Sequence, residues 1–295
     1  MDEHEGLAKR FETHRSHLRA VAYRMLGSPS EADDAVQEAW LRLSRVDVSG
    51  VENLAGWLRT VVSRVCLDML RSRKSRREEP VGQQVLDQIT DAGHGSDPEH
   101  EVLLVDSVGR ALLVVLDTLA PAERIAFVLH DMFAVPFDQI APILGRSPIA
   151  TKKLASRARH RVHGTPAVAG AELARHRHIV DAFLAAARGG DINALLAVLA
   201  PDVVRRADRA ALPSGVATEV RGAQAVAEET VVFGRRSQFA QPALVNGAVG
   251  VVVAPRGRLL LALTVTIEGD KIAEFDVIAD AARLQQLDLA VLDLH

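Results

Sequence analysis

The chain has 295 residues, 48% apolar and 25% charged, with a net charge of −3; this excludes disorder as a global description and leaves room for two or three domains with their own cores. The lone Cys66 rules out a disulfide framework and fits a small buried hydrophobe in a reducing compartment. No run of about 18 apolar residues occurs and the charged start MDEHEGLAKR has no apolar stretch behind it, so neither secretion nor membrane spanning is expected and a cytoplasmic location is. The small net charge hides opposed blocks: Glu78 to Asp138 holds twelve acids against Arg110 and Arg124, whereas Arg146 to His163 holds six basic residues and no acid.

From Gly6 to Leu26 the pattern is helical, with Leu7, Phe11, Leu18, Val21, Ala22 and Met25 as its apolar members and Gly27 ending it. Ser28, Pro29, Ser30 and Glu31 then form a helix start, with a hydroxyl at the cap, proline at the first helical position and a carboxylate three residues on to close a capping box. The second helix runs to about Arg45. Ala35, Val36, Ala39, Trp40 and Leu43 make its core stripe, and Asp34, Gln37, Glu38 and Leu41 a second stripe, with Glu31 and Asp33 beside its start. That acidic stripe reads either as a solvated face near the positive end of a helix dipole or as a docking surface for a basic partner.

Asn53 precedes the most informative stretch, Trp57 to Arg77, WLRTVVSRVCLDMLRSRKSRR. Trp57, Leu58, Val61, Val62, Val65, Leu67, Met69 and Leu70 supply an apolar stripe, while Arg59, Arg64, Arg71, Arg73, Lys74, Arg76 and Arg77 face the single acid Asp68. A solvated face would mix its signs, so this one reads as a phosphate-seeking surface. Residues 78–98 lose periodicity, gather Gly, Pro and acids, and read as a linker.

Helical pattern resumes as four blocks, Glu99–Thr118, Pro121–Met132, Pro136–Leu144 and Pro148–His163. The last two are joined by Gly145, Arg146 and the cap Ser147, which is helix-turn-helix spacing, although Pro142 should kink the first of the pair. The last block is expected to turn Ile149, Leu154, Ala158 and Val162 inward, with Lys152, Lys153, Ser156, Arg157, Arg159 and His160 outward or flanking the exposed side. Residues 164–174 form a short linker. Helices then cover Ala174–Gly190, Asp191–Leu199 and Gly222–Phe233, followed by strands at Pro242–Asn246, Ala248–Ala254, Arg258–Glu268 and Lys271–Ile278 separated by turn pairs. Consecutive hairpins imply an antiparallel sheet with helices on one face, an α+β domain.

DDAVQEAWLRL at Asp33–Leu43, NLAGWLRTVVSRVCLDMLRSRKSR at Asn53–Arg76 and the helix-turn-helix at Pro136–His163 together resemble an extracytoplasmic-function sigma factor of bacterial RNA polymerase over residues 5 to 163. The resemblance implies two all-α domains, residues 1–77 and 99–163, that bind core polymerase and promoter DNA. It implies a polymerase contact at Asp33, Asp34, Gln37, Glu38 and Leu41. Recognition and melting of the −10 element fall to Asn53, Trp57, Arg59, Thr60, Arg64 and Asp68, with Arg71, Arg73, Lys74, Arg76 and Arg77 on backbone. The −35 element falls to Arg146, Ser147, Thr151, Lys152, Lys153, Ser156, Arg157 and Arg159.

Residues 175–295 resemble the SnoaL-like, cone-shaped α+β fold that some of these factors carry, which implies a regulatory domain in intramolecular contact with the sigma domains. Its loop Ala207–Val220 lacks the Asp-Gly-Gly-Gly-Lys motif of related proteins. His178, Asp181, Asp208, Asp276 and Asp280 form no evident acid/base pair, and Tyr23, the only tyrosine, lies in the first domain, so catalysis is not expected. No metal or nucleotide site stands out and no cofactor is expected; an apolar pocket for a small-molecule ligand remains open. The rival reading is a helix-turn-helix regulator with a ligand-sensing or isomerase-like C-terminal domain.

Overall fold

The computed structural model describes residues 2–46, 53–76, 109–168, 170–233 and 238–292, so the linker expected at 78–98 lies outside the described residues. Two compact units emerge, one built from residues 1–81 and 116–160, the other from 82–115 and 161–295.

In the first unit α1 (Asp2–Leu26), α2 (Pro29–Leu43) and α3 (Leu54–Arg76) pack on one another through Phe11, Leu18, Val21, Leu43, Leu58 and Val62, all but fully buried. Ser28 caps α2 as expected, its hydroxyl accepting from the Glu31 amide at 3.4 Å. The capping box is not closed, because the Glu31 carboxylate turns to Arg73 on α3. The unit continues with α5 (Pro121–Phe127), a π-helical turn at Val128–Met132, α6 (Phe137–Leu144) and α7 (Pro148–His163). Gly145 ends α6 in the left-handed region at φ 62°, and its amide and that of Arg146 both reach the Ala141 carbonyl. Pro142 is tolerated because α6 is only eight residues long and its last turn closes on this glycine. Helix α4 (Arg110–Thr118) is the described part of the block expected from Glu99.

The second unit is a seven-stranded sheet of order β2-β1-β6-β5-β4-β3-β7, with β1 (Leu199–Ala207), β2 (Glu219–Arg221), β3 (Ala240–Val245), β4 (Ala248–Val253), β5 (Leu261–Glu268), β6 (Lys271–Ile278) and β7 (Leu289–Ala290). Helices α8 (Ala171–Gly189), α9 (Ile192–Val198) and α10 (Ala223–Val232) close its core through Val180, Phe183, Leu195 and Val226 against Val203, Val251 and Phe275. Helix α11 (Ala281–Gln286) begins at the cap Asp280. The four anticipated strands form the antiparallel part, and Asn246 and Gly247, both at positive φ, make the hairpin turn between β3 and β4. The purely antiparallel sheet needs correcting: β1 runs parallel to β6, so the sheet is mixed. A parallel pair requires a long connection, which here carries β2, α10 and then β3, β4 and β5.

Gly250 sits where β4 meets β5. A Cβ there would lie 2.4 Å from the Leu263 carbonyl oxygen and 2.8 Å from Val245 Cγ2. Backbone cannot yield as a side chain can. Gly250→Ala is therefore expected to destabilise the protein by about 2 kcal/mol or more, a fall of several degrees in Tm by calorimetry.

Candidate polymerase and nucleic-acid interfaces

Helix α2 buries Ala32, Ala35, Val36, Ala39 and Leu43, which leaves Asp34, Gln37 and Leu41 exposed on the opposite stripe and Glu38 partly so. Leu41 keeps 40% of its surface in water. Asp33 is tied to Arg19 of α1 at 2.6 Å and Glu38 to Arg42 at 2.8 Å within the helix. Asp34 has no partner among the described residues, so the stripe is an acidic face with one apolar anchor.

On α3 the expected readers take three different positions. Asn53 caps the helix, its Oδ1 accepting from the Gly56 amide at 2.9 Å, and Thr60 donates back to the Gly56 carbonyl at 3.0 Å. Trp57 is half-buried.

 The rings of Phe11 and Trp40, 5.1 Å apart, hold α1 to α2. Arg59 donates to Gln139 Oε1 at 2.9 Å and Arg64 to the Pro142 carbonyl at 3.3 Å, so both guanidinium groups rest on α6. Beside them His17 meets the Phe133 ring edge-on at 5.4 Å. Partial burial, then the charges of Arg59, His14 and Arg24, hold its imidazole below the ordinary value.

The rest of α3 is structural as often as it is free. Arg73, expected on DNA backbone, donates to the Leu26 carbonyl at 3.1 Å and pairs with Glu31, filling the open end of α1. Arg71 and Asp68 are exposed and lie 3.8 Å apart. The side chains of Lys74 and Arg76, and all of Arg77, lie outside the described residues. Burial pushes the Cys66 thiol far up, which makes it inert.

Helix α7 departs from its expected orientation at two positions. Thr151 is fully buried and its hydroxyl donates to the Ser147 carbonyl at 3.0 Å, so it faces the core, whereas Ile149, expected inward, is 73% exposed. The buried set is Thr151, Ala155, Ala158 and Val162. Ile149 and Thr151 are two positions apart, about 200° around a helix, so they cannot share a face. Ser147 caps the helix by accepting from the Ala150 amide at 3.2 Å. Arg157 is 3.6 Å from Glu123 and Arg159 is 2.7 Å from Asp131, both held by acids of the same unit. Arg146, Lys152, Lys153 and Ser156 are exposed, and the three cations have no partner among the described residues.

The second unit holds an apolar cavity of about 120 Å³, lined by Phe183, Leu212, Phe233, Val251, Leu263 and Phe275 among others. Its polar wall is Thr230 and the ion pair of buried Arg205 with Glu229, 2.9 Å from Nε to Oε2, with the remaining Nη1 donating to the Ala217 carbonyl at 3.0 Å. None of the five acid/base candidates lines it. Asp208 holds the Ala279 and Asp280 amides, Asp280 caps α11, Asp181 lies 3.6 Å from Arg177, and His178 is exposed. No group of three or more potential metal ligands occurs, and no helix is long and apolar enough to cross a membrane, among the described residues.

Residues 10–76 match the family model for sigma-70 region 2 and residues 109–162 that for sigma-70 region 4. A probable ECF RNA polymerase sigma factor, SigI of Mycobacterium tuberculosis, is 38% identical over 208 residues, 70% of this chain and 72% of that protein. The ECF RNA polymerase sigma factor SigJ of the same organism is 38% identical over 252 residues, 83% of this chain and 80% of its own. The crystal structure of SigJ covers 94% of this chain and 98% of its own at 32% identity, with a TM-score of 0.47.

The two arginines Arg73 and Arg71 separate a structural cation from one in an exposed pair with Asp68. Arg73→Ala is expected to cost about 1–2 kcal/mol, since it strips a carbonyl and a half-buried carboxylate of their donor, while Arg71→Ala stays within about 0.5 kcal/mol. Equal shifts in urea denaturation would contradict this division.

Proposed function

The chain belongs to the extracytoplasmic-function RNA polymerase sigma factors, and we propose how it divides that family's work, promoter-specific initiation of transcription on core polymerase, among its helices. Helix α2 carries the polymerase contact through Asp34, Gln37, Glu38 and Leu41, with Asp33 set by Arg19. The first half of α3, from Asn53 to Arg64, takes the −10 element, and the outer stripe of α7 takes the −35 element. What carries this reading is the sorting of faces in the first unit, an acidic stripe with an exposed leucine on α2 and an acid-free stripe of unpartnered cations on α7. The first suits a basic protein surface and the second a phosphate backbone.

The C-terminal domain acts as a restraint in this reading. The last turn of α7 falls in the second unit, where the Val162 carbonyl accepts from the Val291 amide at 2.8 Å. Gly164 follows in the left-handed region, and a Cβ there would fall 2.5 Å from that of Ala290. Within the second unit the last turn of α7 is therefore tied to the residue that follows β7. The chain works as an initiation factor and not as a catalyst. A cavity whose one carboxylate is committed to a saturated guanidinium offers no free base, and it suits an apolar ligand better than a reaction.

Replacing Asp34 with Lys and Leu41 with Asp together is expected to weaken core polymerase binding at least tenfold in a pull-down titration, with binding to duplex promoter DNA retained. A helix-turn-helix repressor would show no change in function on the same substitutions, which makes this the deciding experiment between the two readings.

For the restraint, Val291→Pro removes the amide that holds Val162. Transcription with core polymerase is expected to change severalfold while the fold, followed by circular dichroism, persists. Unchanged activity and promoter choice would sink the restraint.

A further inference from the structure

The recognition helix has an outer stripe that its core does not use. Ile149, Lys152, Lys153, Ser156 and His160 recur at i, i+3, i+4, i+7 and i+11 and are all exposed. Ile149 heads the stripe and is 73% exposed, one of four large apolar side chains left in water among the described residues. A singly exposed aliphatic is ordinary on a protein surface. Its surroundings set this one apart. Arg146, Lys152 and Lys153 beside it have no partner among the described residues, whereas Arg157 and Arg159, farther along the helix, are held by Glu123 and Asp131. The cap hydroxyl of Ser147 is spent on the Ala150 amide. The first turn thus offers a branched aliphatic inside a rim of uncommitted cations.

A recognition helix reads base edges in the major groove with its N-terminal residues. The apolar group that the major groove presents is the thymine 5-methyl, and apolar side chains read it by contact. We propose that Ile149 is a specificity-determining residue of the −35 contact, packing against the 5-methyl group of a thymine while Arg146, Lys152 and Lys153 hold the flanking phosphates. This rests on the reading of α7 as the −35 element. Ile149 has no donor or acceptor in its side chain, so the contact distinguishes thymine from other bases by shape and methyl burial alone.

The test uses the full-length protein with core polymerase. The preferred −35 sequence is first selected from a randomised promoter pool, and each thymine in it is then replaced by deoxyuridine, which keeps the base-pairing groups and loses only the methyl. At one position the replacement is expected to lower promoter binding about threefold to fivefold, the value of one buried methyl. Ile149→Ala should bind the thymine promoter with the same loss and be indifferent to deoxyuridine there, and Ile149→Val should fall between. Because Ile149 is exposed, the variants are expected to keep the wild-type Tm. Wild-type protein insensitive to deoxyuridine at every position, or Ile149→Ala that retains the full sensitivity, would overturn the proposal. So would an Ile149→Ala defect that is equal on both templates and tracks weaker core binding. Failure of the parent reading looks different: Lys152→Ala and Lys153→Ala would then leave promoter binding and its salt dependence unchanged.

Discussion

The first unit depends on one buried guanidinium. Arg124 on α5 is 4% exposed; one of its nitrogens donates to the Met25 carbonyl at the end of α1 at 3.1 Å and another to Asp117 at 2.9 Å. A helix end leaves carbonyls without partners, and a buried charge needs both a counter-charge and hydrogen bonds, so each requirement meets the other here. Breaking such a pair from one side costs about 3–5 kcal/mol. With α5 held to the end of α1, α6 lies along α3, and Arg59 and Arg64 find Gln139 and the Pro142 carbonyl. Both acceptors are neutral. Hydrogen bonds of a guanidinium to an anion are roughly twice as strong as neutral ones, so this arrangement occupies the two arginines without competing well against phosphate.

Charge segregation, the earliest signal in the chain, has a structural counterpart in the second half of the unit. Of the acids between Glu78 and Asp138 that are described, Asp117 serves Arg124, Glu123 serves Arg157 and Asp131 serves Arg159. Asp138 accepts from the Gln139 amide at the start of α6. The acidic block therefore pairs the arginines along the flank of α7 and leaves Arg146, Lys152 and Lys153 near its start without a partner among the described residues. A net charge of −3 conceals this because it adds cations that are spent on neighbours to cations that are not.

Helical periodicity in the sequence was enough for α1, α2, α3 and the helix-turn-helix, because each has a wide apolar stripe and a clear start or stop such as Ser28 or Gly145. Side-chain roles were harder to read. Glu31 looked like half of a capping box, yet a long-range guanidinium outcompetes a local amide for its carboxylate. In α7 the greater hydrophobicity of Ile149 drew it inward on paper, while the packed set takes Thr151 because its hydroxyl can be satisfied inside the helix. β1 was hidden by Pro201 and by the charges of Asp202, Arg205 and Arg206; its pairing with β6 joins residues some seventy positions apart, which no local pattern encodes. Arg205 is buried only because Glu229, on a helix that forms later in the chain, is there to meet it.

That ion pair also bears on how the last turn of α7, residues 161–163, is held within the second unit. Ala240 of β3, with Val251 and Val253 of β4, lines the cavity beside Arg205. β3 pairs with β7 through Leu244 and Ala290, and the next residue, Val291, bonds to the last turn of α7. The cavity wall and the end of the recognition helix are thus linked by two successive sets of backbone hydrogen bonds within one unit. Backbone pairing of this kind transmits a displacement that flexible side chains would absorb, and it ends at Val162, three turns along the same helix from the cationic stripe's first residue.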